Sequence, residues 1–341
     1  MPRITRHALL LGYQLEQPSF RYRMLSLVAA LEAAGWTVQL ERFPSGRYIV
    51  RTWERRELLR RSSVVVLHQI KLAGAEARLL AALAPHRVFD FDDAIYVRKP
   101  RHLGEPADDS WWRRHKFAAT CRSVDVVAAG NEVLAGVAAA NARRIIILPT
   151  ALDASVYHAT SATQDDPPTI AWVGSPENLV YLEILHPALA RLSVRYPALR
   201  LRVVCSKFPK WPDVRIDPVI WSPAAEVAAL AESHIGVMPL TDDEWSRGKC
   251  AFKLLQYMAA SLPCVASPVG ANTEAVIEAR TGYYASSAAE WEQALERLIC
   301  SPELRARLGA AGRAHVESRY GIQNYRTRYV ALFESLLSGQ R

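Results

Sequence analysis

The sequence predicts an α/β protein of two doubly wound parallel-sheet domains that face each other across a cleft. Its 341 residues suffice for two domains that each bury a core. Short apolar runs alternate with amphipathic stretches in both halves, which is typical of parallel sheets covered by helices. A polar, proline-bearing stretch, residues 153–169, separates the two alternations and indicates an interdomain linker. We therefore expect domains at 1–155 and 156–320, followed by a C-terminal helix within 321–341.

Six apolar runs in the first half predict the strands of the first sheet. In order they are His7–Leu11, Thr37–Leu40, Val64–Leu67, Arg87–Phe91, Asp125–Ala128 and Arg144–Leu148. Helices are predicted between them at Tyr22–Ala34, Thr52–Arg61, Leu72–Leu83, Trp111–Cys121 and Glu132–Ala140. Gly35 is a natural C-terminal cap for the first of these helices, and Asn131 can cap the last.

The second half repeats the alternation. Strands are predicted at Ile170–Gly174, Leu201–Cys205, Ile235–Met238 and Cys264–Ala266. Helices are predicted at Leu179–Arg195, Ala224–Glu232, Cys250–Ala260, Ala288–Leu298 and Pro302–Glu317. The last periodic segment, Ile322–Leu337, exceeds what the second domain needs.

Composition and charge narrow the class of protein. Half of the residues are hydrophobic and 22% are charged, and no apolar run approaches the roughly 20 residues that span a bilayer. Residues 1–150 hold 23 Lys and Arg against 14 Asp and Glu, a net charge of +9, whereas residues 151–341 hold 19 against 20. A basic first half indicates an anionic partner: nucleic acid, a membrane face or an acidic acceptor. The five scattered cysteines form no CxxC pair, which favours buried free thiols in a reducing cytoplasm over metal binding or disulfides.

The segment 247–268 is the most informative part of the chain. Gly248 ends a polar loop, and we expect a helix to begin immediately after it. A helix N-terminus offers free N–H groups and a positive dipole end to a phosphate or diphosphate. Lys249, Lys253 and Gln256 are spaced i, i+4, i+7 and would share one face. This spacing predicts a diphosphate site with an amide that reaches a sugar hydroxyl. The alternative is an ordinary amphipathic helix with solvated lysines.

This segment resembles the donor-binding helix of the GT4 family of retaining GT-B glycosyltransferases. The family pattern is a loop glutamate, seven residues, a second glutamate and then Ala-x-Gly-x-Pro-Val-Val-Ala, and the tail Tyr257-Met-Ala-Ala-Ser-Leu-Pro-Cys-Val-Ala-Ser fits it. The two acidic positions read Gly248 and Gln256. An amide can still bind a ribose diol because it both donates and accepts, and Gln256→Glu should be tolerated if the pocket accepts the charge. Candidate stand-ins for the loop glutamate are Asp242, Asp243 and Glu244.

The resemblance extends over nearly the whole chain and implies the GT-B fold, with two Rossmann-like domains. The second would bind a nucleotide-sugar donor and the first an acceptor, and the helix at 322–337 would cross back to the first domain. Asp92-Asp93 occupies the place where many members have His-Asp, at a strand's carboxyl end, where catalytic groups gather. The implied catalytic residues are Asp92, Asp93 and Lys253. Two adjacent aspartates at a strand end are also common as a helix cap and a turn former.

The resemblance implies further ligand-binding residues. The donor-binding set is Gly174, Ser175, Lys207, Trp221, Arg247, Gly248, Lys249, Lys253 and Gln256. The acceptor-binding set is Ser19, Arg21, Arg23 and Tyr96. A glycine and a serine at a strand-to-helix turn let the backbone approach a phosphate. Ser19 can equally be a simple N-cap, and burial or solvation without function is the alternative for Lys207 and Trp221.

A basic, aromatic stretch in the first half predicts a membrane contact. Arg42 to Arg61 contains seven arginines interleaved with aromatic residues, and Arg113-Arg114-His115-Lys116 follows Trp111-Trp112. Basic helices with tryptophan suit an anionic membrane surface, although a solvated helix face is the alternative. No nucleic-acid motif accompanies the basic charge, so we expect no nucleic-acid partner.

The leading functional prediction is a retaining, metal-independent glycosyltransferase without a cofactor. It would move a sugar from a nucleotide-diphosphate sugar to a saccharide or lipid-linked acceptor. The histidines lack metal-ligand spacing, and P-loop, GxGxxG, GxSxG and HExxH motifs are absent. The alternatives are a catalytically degenerate sugar-nucleotide-binding or scaffold protein, which Gly248 and Gln256 motivate, and a GT-B epimerase or phosphorylase. The short apolar start predicts a strand rather than a signal peptide, so we expect a cytoplasmic protein, peripheral at the inner face of the membrane if the arginines bind lipid.

Overall fold

Two six-stranded parallel sheets organise the chain. The computed structural model describes residues 6–107, 110–161 and 168–339. The first sheet holds β1 (His7–Gly12), β2 (Thr37–Arg42), β3 (Val64–His68), β4 (His86–Phe91), β5 (Val126–Ala129) and β6 (Ile145–Ile147). The second holds β7 (Thr169–Val173), β8 (Arg200–Cys205), β9 (Ile216–Ile220), β10 (Ile235–Met238), β11 (Cys264–Ala266) and β12 (Gly282–Tyr284).

Helices connect and cover the strands. Those around the first sheet are α1 (Pro18–Arg23), α2 (Val28–Ala33), α3 (Tyr48–Glu54), α4 (Arg56–Arg61), α5 (Gly74–Leu83), α6 (Trp111–Ser123) and α7 (Glu132–Ala139). Those of the second half are α8 (His186–Arg195), α9 (Pro223–Ala231), α10 (Glu244–Arg247), α11 (Phe252–Ala259), α12 (Asn272–Ala275), α13 (Ala288–Ile299), α14 (Pro302–Arg319) and α15 (Ile322–Leu337). Short 3-10 segments lie at Leu25–Leu27, Ala154–Val156 and Pro176–Ile184.

The strands are continuous apolar runs because both faces of each sheet are covered. In the first sheet, Leu9 and Phe89 point into one core, whereas their neighbours Ala8 and Val88 point into the opposite core. Separate hydrophobic clusters fill the two faces of the second sheet in the same way. The predicted class, two doubly wound parallel-sheet domains, is confirmed.

Strand order decides where the cleft lies. The first sheet has the order β2-β1-β3-β4-β5-β6 and the second β12-β11-β10-β7-β8-β9. The direction of winding therefore reverses between β1 and β3 and between β7 and β10. Open parallel sheets bind ligands outside the carboxyl ends of the strands at such a point. Residues that follow these four strands, Ser19, Gln69, Gly174 and Leu240, line one cavity.

Helix α15 packs against the first domain. Its Tyr329 and Phe333 lie in the same core as Ala8. Tyr325 Oη donates to the backbone oxygen of Arg23 at 3.0 Å, and Tyr329 Oη donates to the buried carboxylate of Asp90. The last helix of the chain thus completes a core formed by the first domain.

Two strands and several helix boundaries differ from the sequence predictions. β9 and β12 were not predicted, and they form the two edges of the second sheet. Edge strands tolerate short length and a proline such as Pro218, so they lack the long apolar run of a central strand. The predicted helix 22–34 is split into α1, a 3-10 turn and α2, and the predicted helix 52–61 is split at Arg55. The predicted linker 153–169 includes residues 162–167, which lie outside the described part of the chain.

Candidate active site

A cavity of about 650 Å³ lies between the domains, at the carboxyl ends of both sheets. Cavities of this size accommodate small-molecule ligands. The residues predicted from the sequence that line it are Ser19, Asp92, Asp93, Gly174, Ser175, Trp221, Lys249, Lys253 and Gln256. The two domains therefore bring the lysines of the 247–256 segment to the same cavity as the paired aspartates.

Asp92 is fixed on the first-domain wall. It follows β4 directly, and its Oδ1 accepts hydrogen bonds from Ser19 Oγ at 2.5 Å and from Gln69 Nε2 at 2.6 Å. Gln69 has a left-handed backbone with φ 55°, which costs about 1–3 kcal/mol for a residue with a side chain. The packing around Gln69 must compensate for this strain. The hydrogen bonds from Ser19 and Gln69 hold Oδ1 of Asp92 in place at the cavity.

Asp93 lies next to Asp92, and the charges of Lys249 and Lys99 act on its pKa. Burial raises the pKa of Asp93 to about 6, while Lys249 opposes the rise and Asp92 reinforces it. A carboxyl group with this pKa is mainly ionised at pH 7 but can exchange a proton close to neutrality. Such a perturbed carboxyl in a cleft is typical of a functional site.

A buried ion pair behind this wall removes Arg23 from the predicted acceptor site. Arg23 is 0% exposed, and its Nε and Nη2 donate to Asp90 at 2.7 and 2.6 Å. Burial alone would raise the pKa of Asp90, but the Arg23 guanidinium holds it well below its usual range. His68 joins this pair to the cavity, with Nδ1 2.8 Å from Asp90 and Nε2 2.9 Å from Ser19 Oγ. The prediction that Arg23 binds the acceptor is wrong, because its role is to support the wall from behind.

Lys253 occupies the second-domain wall in the first turn of α11. Its Nζ lies 4.3 Å from the centroid of the Trp172 ring, and a Cβ at Gly174 would come within 2.8 Å of that nitrogen. Glycine at position 174 therefore leaves room for the ammonium group. Burial, followed by the charges of Lys249 and Lys99, lowers the pKa of Lys253 to about 7. Within the described residues no carboxylate lies at ion-pair distance from Lys253, so an anionic ligand would be its first close counter-charge and would favour the protonated form.

Helix α11 begins at Phe252, not directly after Gly248. Ala251 precedes it in a left-handed conformation with φ 53°. Lys249 therefore lies outside the helix, and the prediction that it shares a helix face with Lys253 is wrong. Both lysines nevertheless line the cavity together with the first turn of α11, whose N–H groups have no intrahelical acceptor.

A further polar cluster of the cavity forms around Gln256. Its Nε2 donates to Tyr157 Oη at 2.9 Å and to Glu226 Oε1. Trp221 Nε1 donates to the other carboxylate oxygen of Glu226 at 2.7 Å. Burial raises the pKa of Glu226, and these hydrogen bonds partly oppose the rise. Gln256→Glu would add a second carboxylate next to that of Glu226. The substitution was expected to be tolerated only if the pocket accepts the added charge, and this neighbour opposes it.

Arg247 and Gly248 do not line the cavity. Arg247 points to solvent and pairs with Asp242, with Nε and Nη2 at 2.6 and 3.0 Å from its oxygens. Gly248 meets the first domain instead, because a Cβ there would lie 2.6 Å from Ala94 Cβ. The structure does not place these two residues in the cavity lining, so their donor-binding roles stay predictions, and Gly248 permits a close contact between the domains.

The three candidate stand-ins for the loop glutamate are engaged elsewhere. Asp242 pairs with Arg247, Asp243 caps α10, and Glu244 pairs with Arg114 of the first domain at 2.7 Å. The polar loop at 242–248 therefore joins the two domains and leaves carboxylate contacts in the cavity to other residues.

Three more predicted residues lie outside the cavity lining. Tyr96 is buried and packs on Phe117, with ring centroids 5.2 Å apart, so the prediction that it binds the acceptor is wrong. Arg21 is half-buried beside Tyr22. Its charge lowers the pKa of Glu226, but Arg21 itself does not line the cavity. Lys207 is exposed just after β8. The ligand-binding roles of Arg21 and Lys207 stay predictions.

The arginines of the 42–61 segment are already engaged by acceptors of the protein. Arg51 is buried and donates to Glu76 through Nε at 2.5 Å and Nη2 at 3.0 Å. The others form surface contacts with Glu or Gln side chains: Arg42, Arg47, Arg55, Arg56, Arg60 and Arg61. The predicted lipid contact is wrong for Arg51, which is paired inside the fold, whereas the remaining arginines form pairs at the surface and their lipid contact stays a prediction.

Gln69, Lys99 and Glu226 contribute to the site although they are absent from the predicted residues. Gln69 follows β3 at the sheet edge that carries the aspartates, and this position alone could have identified it. Glu226 interrupts an otherwise apolar helix, a pattern that marks a buried carboxylate in need of partners. Lys99 Nζ donates to Glu177 O at 2.5 Å and to Asn178 Oδ1 at 2.8 Å across the cleft. It lies in irregular backbone after β4, where periodicity gives no signal.

Among the described residues no group of three or more His, Cys, Asp or Glu could hold a metal ion. No helix within the described ranges combines the length and the apolar character needed to cross a membrane. All five cysteines are free, but Cys300 is exposed and Cys250 is half-buried.

Comparisons with known proteins agree with this architecture. Residues 167–301 match the model of the family described as Glycosyl transferases group 1. No curated protein matches the chain significantly. Sucrose-phosphate synthase from Thermosynechococcus elongatus superimposes with a TM-score of 0.74 at 14% identity, covering 98% of this chain and 100% of that one.

Two further solved structures share the fold. A glycosyltransferase from Rickettsia africae ESF-5 has a TM-score of 0.75 at 11% identity and covers 98% of this chain and 99% of its own. Anabaena HepE in complex with UDP-glucose has a TM-score of 0.72 at 12% identity and covers 96% of this chain and 99% of its own. At these identities the likeness establishes the fold across the whole chain, and the family match includes the second-domain wall of the cavity. The resemblance seen in the sequence is thereby confirmed: residues 167–301 match the group 1 glycosyltransferase family, and the whole chain has the GT-B fold of the solved glycosyltransferases.

Proposed function

We propose that the protein is a retaining glycosyltransferase that takes a sugar from a nucleoside-diphosphate sugar held by the second domain. The observation that carries the proposal is the cavity in which Lys249 and Lys253 share a wall with the N-terminus of α11 and face Asp92 and Asp93. Positive charge at a helix N-terminus suits a diphosphate. Carboxylates opposite it suit the hydroxyl groups of a sugar or an acceptor.

The chemistry follows from where charge develops. As the bond from the sugar's anomeric carbon to the diphosphate breaks, negative charge grows on the diphosphate. Lys253, Lys249 and the first N–H groups of α11 would stabilise that charge, which is electrostatic catalysis by pre-positioned groups. This arrangement supplies the leaving-group stabilisation from side chains, so we propose that transfer needs neither a metal ion nor a cofactor. Asp92, held by Ser19 and Gln69, would accept a hydrogen bond from the attacking hydroxyl, whose oxygen bonds to the anomeric carbon while its proton passes to the departing diphosphate oxygen.

A ligand screen followed by a transfer assay tests this proposal. Since Anabaena HepE has been solved with UDP and with UDP-glucose, uridine donors are tested first, then GDP and ADP sugars. A ligand at 100 times its Kd should stabilise the protein by about 2.7 kcal/mol and raise its melting temperature. Transfer should persist in EDTA, and NMR should show the donor's anomeric configuration in the product.

Each alternative gives a different result in the same assays. Tight nucleotide binding without turnover on any acceptor would favour a scaffold protein. That alternative was raised because positions 248 and 256 lack the glutamates of the family pattern. Conversion of the donor sugar without an acceptor would favour an epimerase. No stabilisation by any nucleotide would overturn the proposed donor site.

The acceptor we propose is lipid-linked and reached at the inner face of the membrane. The first domain carries a cluster of exposed apolar side chains, here called the aromatic patch: Tyr48, Ile49, Val50, Trp53, Trp111 and Trp112. Lys116 joins its two helices, with Nζ 3.1 Å from Tyr48 Oη and 5.2 Å from the centroid of the Trp112 ring. Exposed aromatic groups beside a cation suit the interface of an anionic bilayer. A saccharide acceptor in solution is the alternative.

Vesicle binding tests the aromatic patch. Trp53 and Trp111 are 52% and 70% exposed, so their joint replacement by serine should reduce binding to vesicles with anionic lipid by tenfold or more. Val194→Ser is the matched control, because Val194 is 82% exposed on the second domain, away from the patch. If wild-type protein does not bind anionic vesicles, or if both variants lose vesicle binding equally, the membrane part of the proposal is refuted.

A further inference from the structure

Helix α9 places a buried carboxylate in the cavity. Glu226 lies in the first part of α9, is 5% exposed and lines the cavity wall. An ionised group in such a place loses much of its hydration, so its retention calls for partners or a ligand. The chain supplies three partners: Gln256 on α11, Trp221 before α9, and Tyr157, whose Oη lies 3.4 Å from Oε1.

The hydrogen bonds leave two acceptor groups side by side. Gln256 uses Nε2 for Tyr157 and Glu226, so its carbonyl oxygen is the remaining polar atom of the side chain. Glu226 accepts hydrogen bonds from Gln256 and Tyr157 at Oε1 and from Trp221 at Oε2, so Oε2 keeps a free lone-pair position, because a carboxylate has about four. A ligand group that meets this pair must therefore donate hydrogen bonds. Two neighbouring hydroxyls, as in a vicinal diol, meet that requirement.

The position relative to the lysines indicates which diol this would be. Gln256 lies three residues after Lys253 on α11, roughly 4.5 Å further along the helix axis. That offset is comparable to the step from a nucleotide's phosphates to its ribose hydroxyls. The ring of Trp221, 39% exposed, lines the same part of the cavity and offers a face to a base.

We propose that Glu226, held in place by Gln256 and Trp221, accepts hydrogen bonds from the ribose hydroxyls and makes this protein select ribonucleotides over deoxyribonucleotides. Gln256 is then a positioning residue that shares the diol through its carbonyl oxygen. The inference rests on the proposed donor site and adds a specificity-determining residue to it from a different helix.

Calorimetric binding of UDP, GDP and ADP identifies the tightest nucleotide, and its 2′-deoxy form is then compared. Hydrogen bonds to a charged group predict that wild-type protein binds the ribo form about 10- to 100-fold more tightly. Glu226→Gln should reduce this ratio several-fold while retaining nucleotide binding. Glu232→Gln is the matched control: Glu232 ends α9, is exposed and pairs with Arg202, so its loss should leave the ratio unchanged.

Variants that move the carboxylate from position 226 to position 256 provide a second, independent test. Gln256→Glu would press two carboxylates together, so nucleotide binding at pH 8 should weaken at least tenfold and recover as the pH is lowered. The double variant Glu226→Gln/Gln256→Glu restores one carboxylate and one amide in contact and should regain both binding and ribose preference. If Glu226→Gln does not fold by its melting curve, Glu226→Asp replaces it and should lower the ratio in the same direction.

The outcomes separate this inference from the donor site itself. A wild-type ribo preference that is unchanged in Glu226→Gln, with the nucleotide still bound, overturns the role of Glu226 and leaves the donor site intact. Wild-type protein that binds no nucleoside diphosphate overturns both. A purely structural Glu226 would change the melting temperature of the variants but not the ribo-to-deoxy ratio.

Discussion

Lys253 makes nucleotide affinity depend on pH in a way that can be calculated. Burial, together with Lys249 and Lys99, lowers its pKa to about 7, so a large fraction of the side chain is neutral in the free protein above that pH. A diphosphate bound beside it would restore the charged form, because an opposite charge at close range favours the ammonium group. Binding above pH 7 must then take up a proton.

The size of the effect follows from the pKa. Each pH unit above the pKa of the free protein costs about 1.36 kcal/mol of binding free energy, or a factor of ten in Kd. Between pH 7.5 and 9, where the side chain passes from partly to almost fully neutral, the affinity should therefore fall about 25-fold. The terminal phosphate, with a second pKa near 6, is already ionised over this range and does not contribute.

Isothermal titration calorimetry with the tightest-binding nucleoside diphosphate measures the effect. Titrations at pH 8.5 in two buffers of different ionisation enthalpy should report uptake of close to one proton. Lys253→Met should remove most of the pH dependence, and Lys99, whose pKa burial lowers to about 8, accounts for what remains, whereas Lys210→Met, at an exposed position of the same domain, should retain all of it. A wild-type Kd that is constant from pH 7.5 to 9, or an equal slope in Lys253→Met, would refute the reasoning.

The ligand-free protein should respond to pH in the opposite sense. The folded-state pKa of Lys253 lies below the ordinary value of 10.5, so the unfolded chain binds more protons between about pH 7 and 10.5. The contribution of Lys253 to the free energy of unfolding therefore rises with pH across that window and is flat below it. Lys253→Met should remove this rise, and a chemical denaturation series without ligand checks its sign.

Two further predictions concern the walls of the cavity. Lys253→Ala should lower kcat strongly because the diphosphate gains charge during reaction, whereas Gln256→Ala should mainly raise KM, and equal effects on kcat or full activity without Lys253 would contradict the donor site. Arg23→Met should destabilise the protein by about 3–5 kcal/mol in urea unfolding, because it leaves Asp90 buried without its partner, while Arg21→Met should change little. A loss below about 1 kcal/mol for Arg23→Met would mean that Asp90 is protonated in the folded state.

The parts of the fold that could be predicted are those whose local pattern matches their environment. Central strands such as β3 and β10 are buried on both faces, so their apolar runs gave nearly their observed limits. β9 and β12 lie at sheet edges, where one side is unpaired and apolar content is not required. Pro218 in β9 is acceptable only because that strand has a single neighbour.

The start of α11 could not be predicted for a conformational reason. Gly248 is the residue expected to adopt an unusual backbone, yet its φ is −78°, and Ala251 instead adopts the left-handed conformation. Glycine is present at position 248 because Ala94 of the other domain lies against it. A contact between domains is not visible in local sequence, so the helix was expected directly after Gly248, three residues too early, and Lys249 was placed on it.

The acidic group of the cavity shows the same limit and bears on the choice between functions. A scaffold protein was considered because Gly248 and Gln256 stand where the family pattern has glutamates. Gln256 contacts Glu226, 30 positions away in sequence. The two residues are neighbours only because the pairing of β7 with β10 brings α9 and α11 together at one end of the second sheet. The missing acid at position 256 is therefore not a missing acid in the cavity. Gly248 lies at a domain contact, where a carboxylate could not fit against Ala94. Neither difference removes a charge that the proposed transfer uses, so the scaffold alternative loses its structural motive and depends on turnover measurements alone.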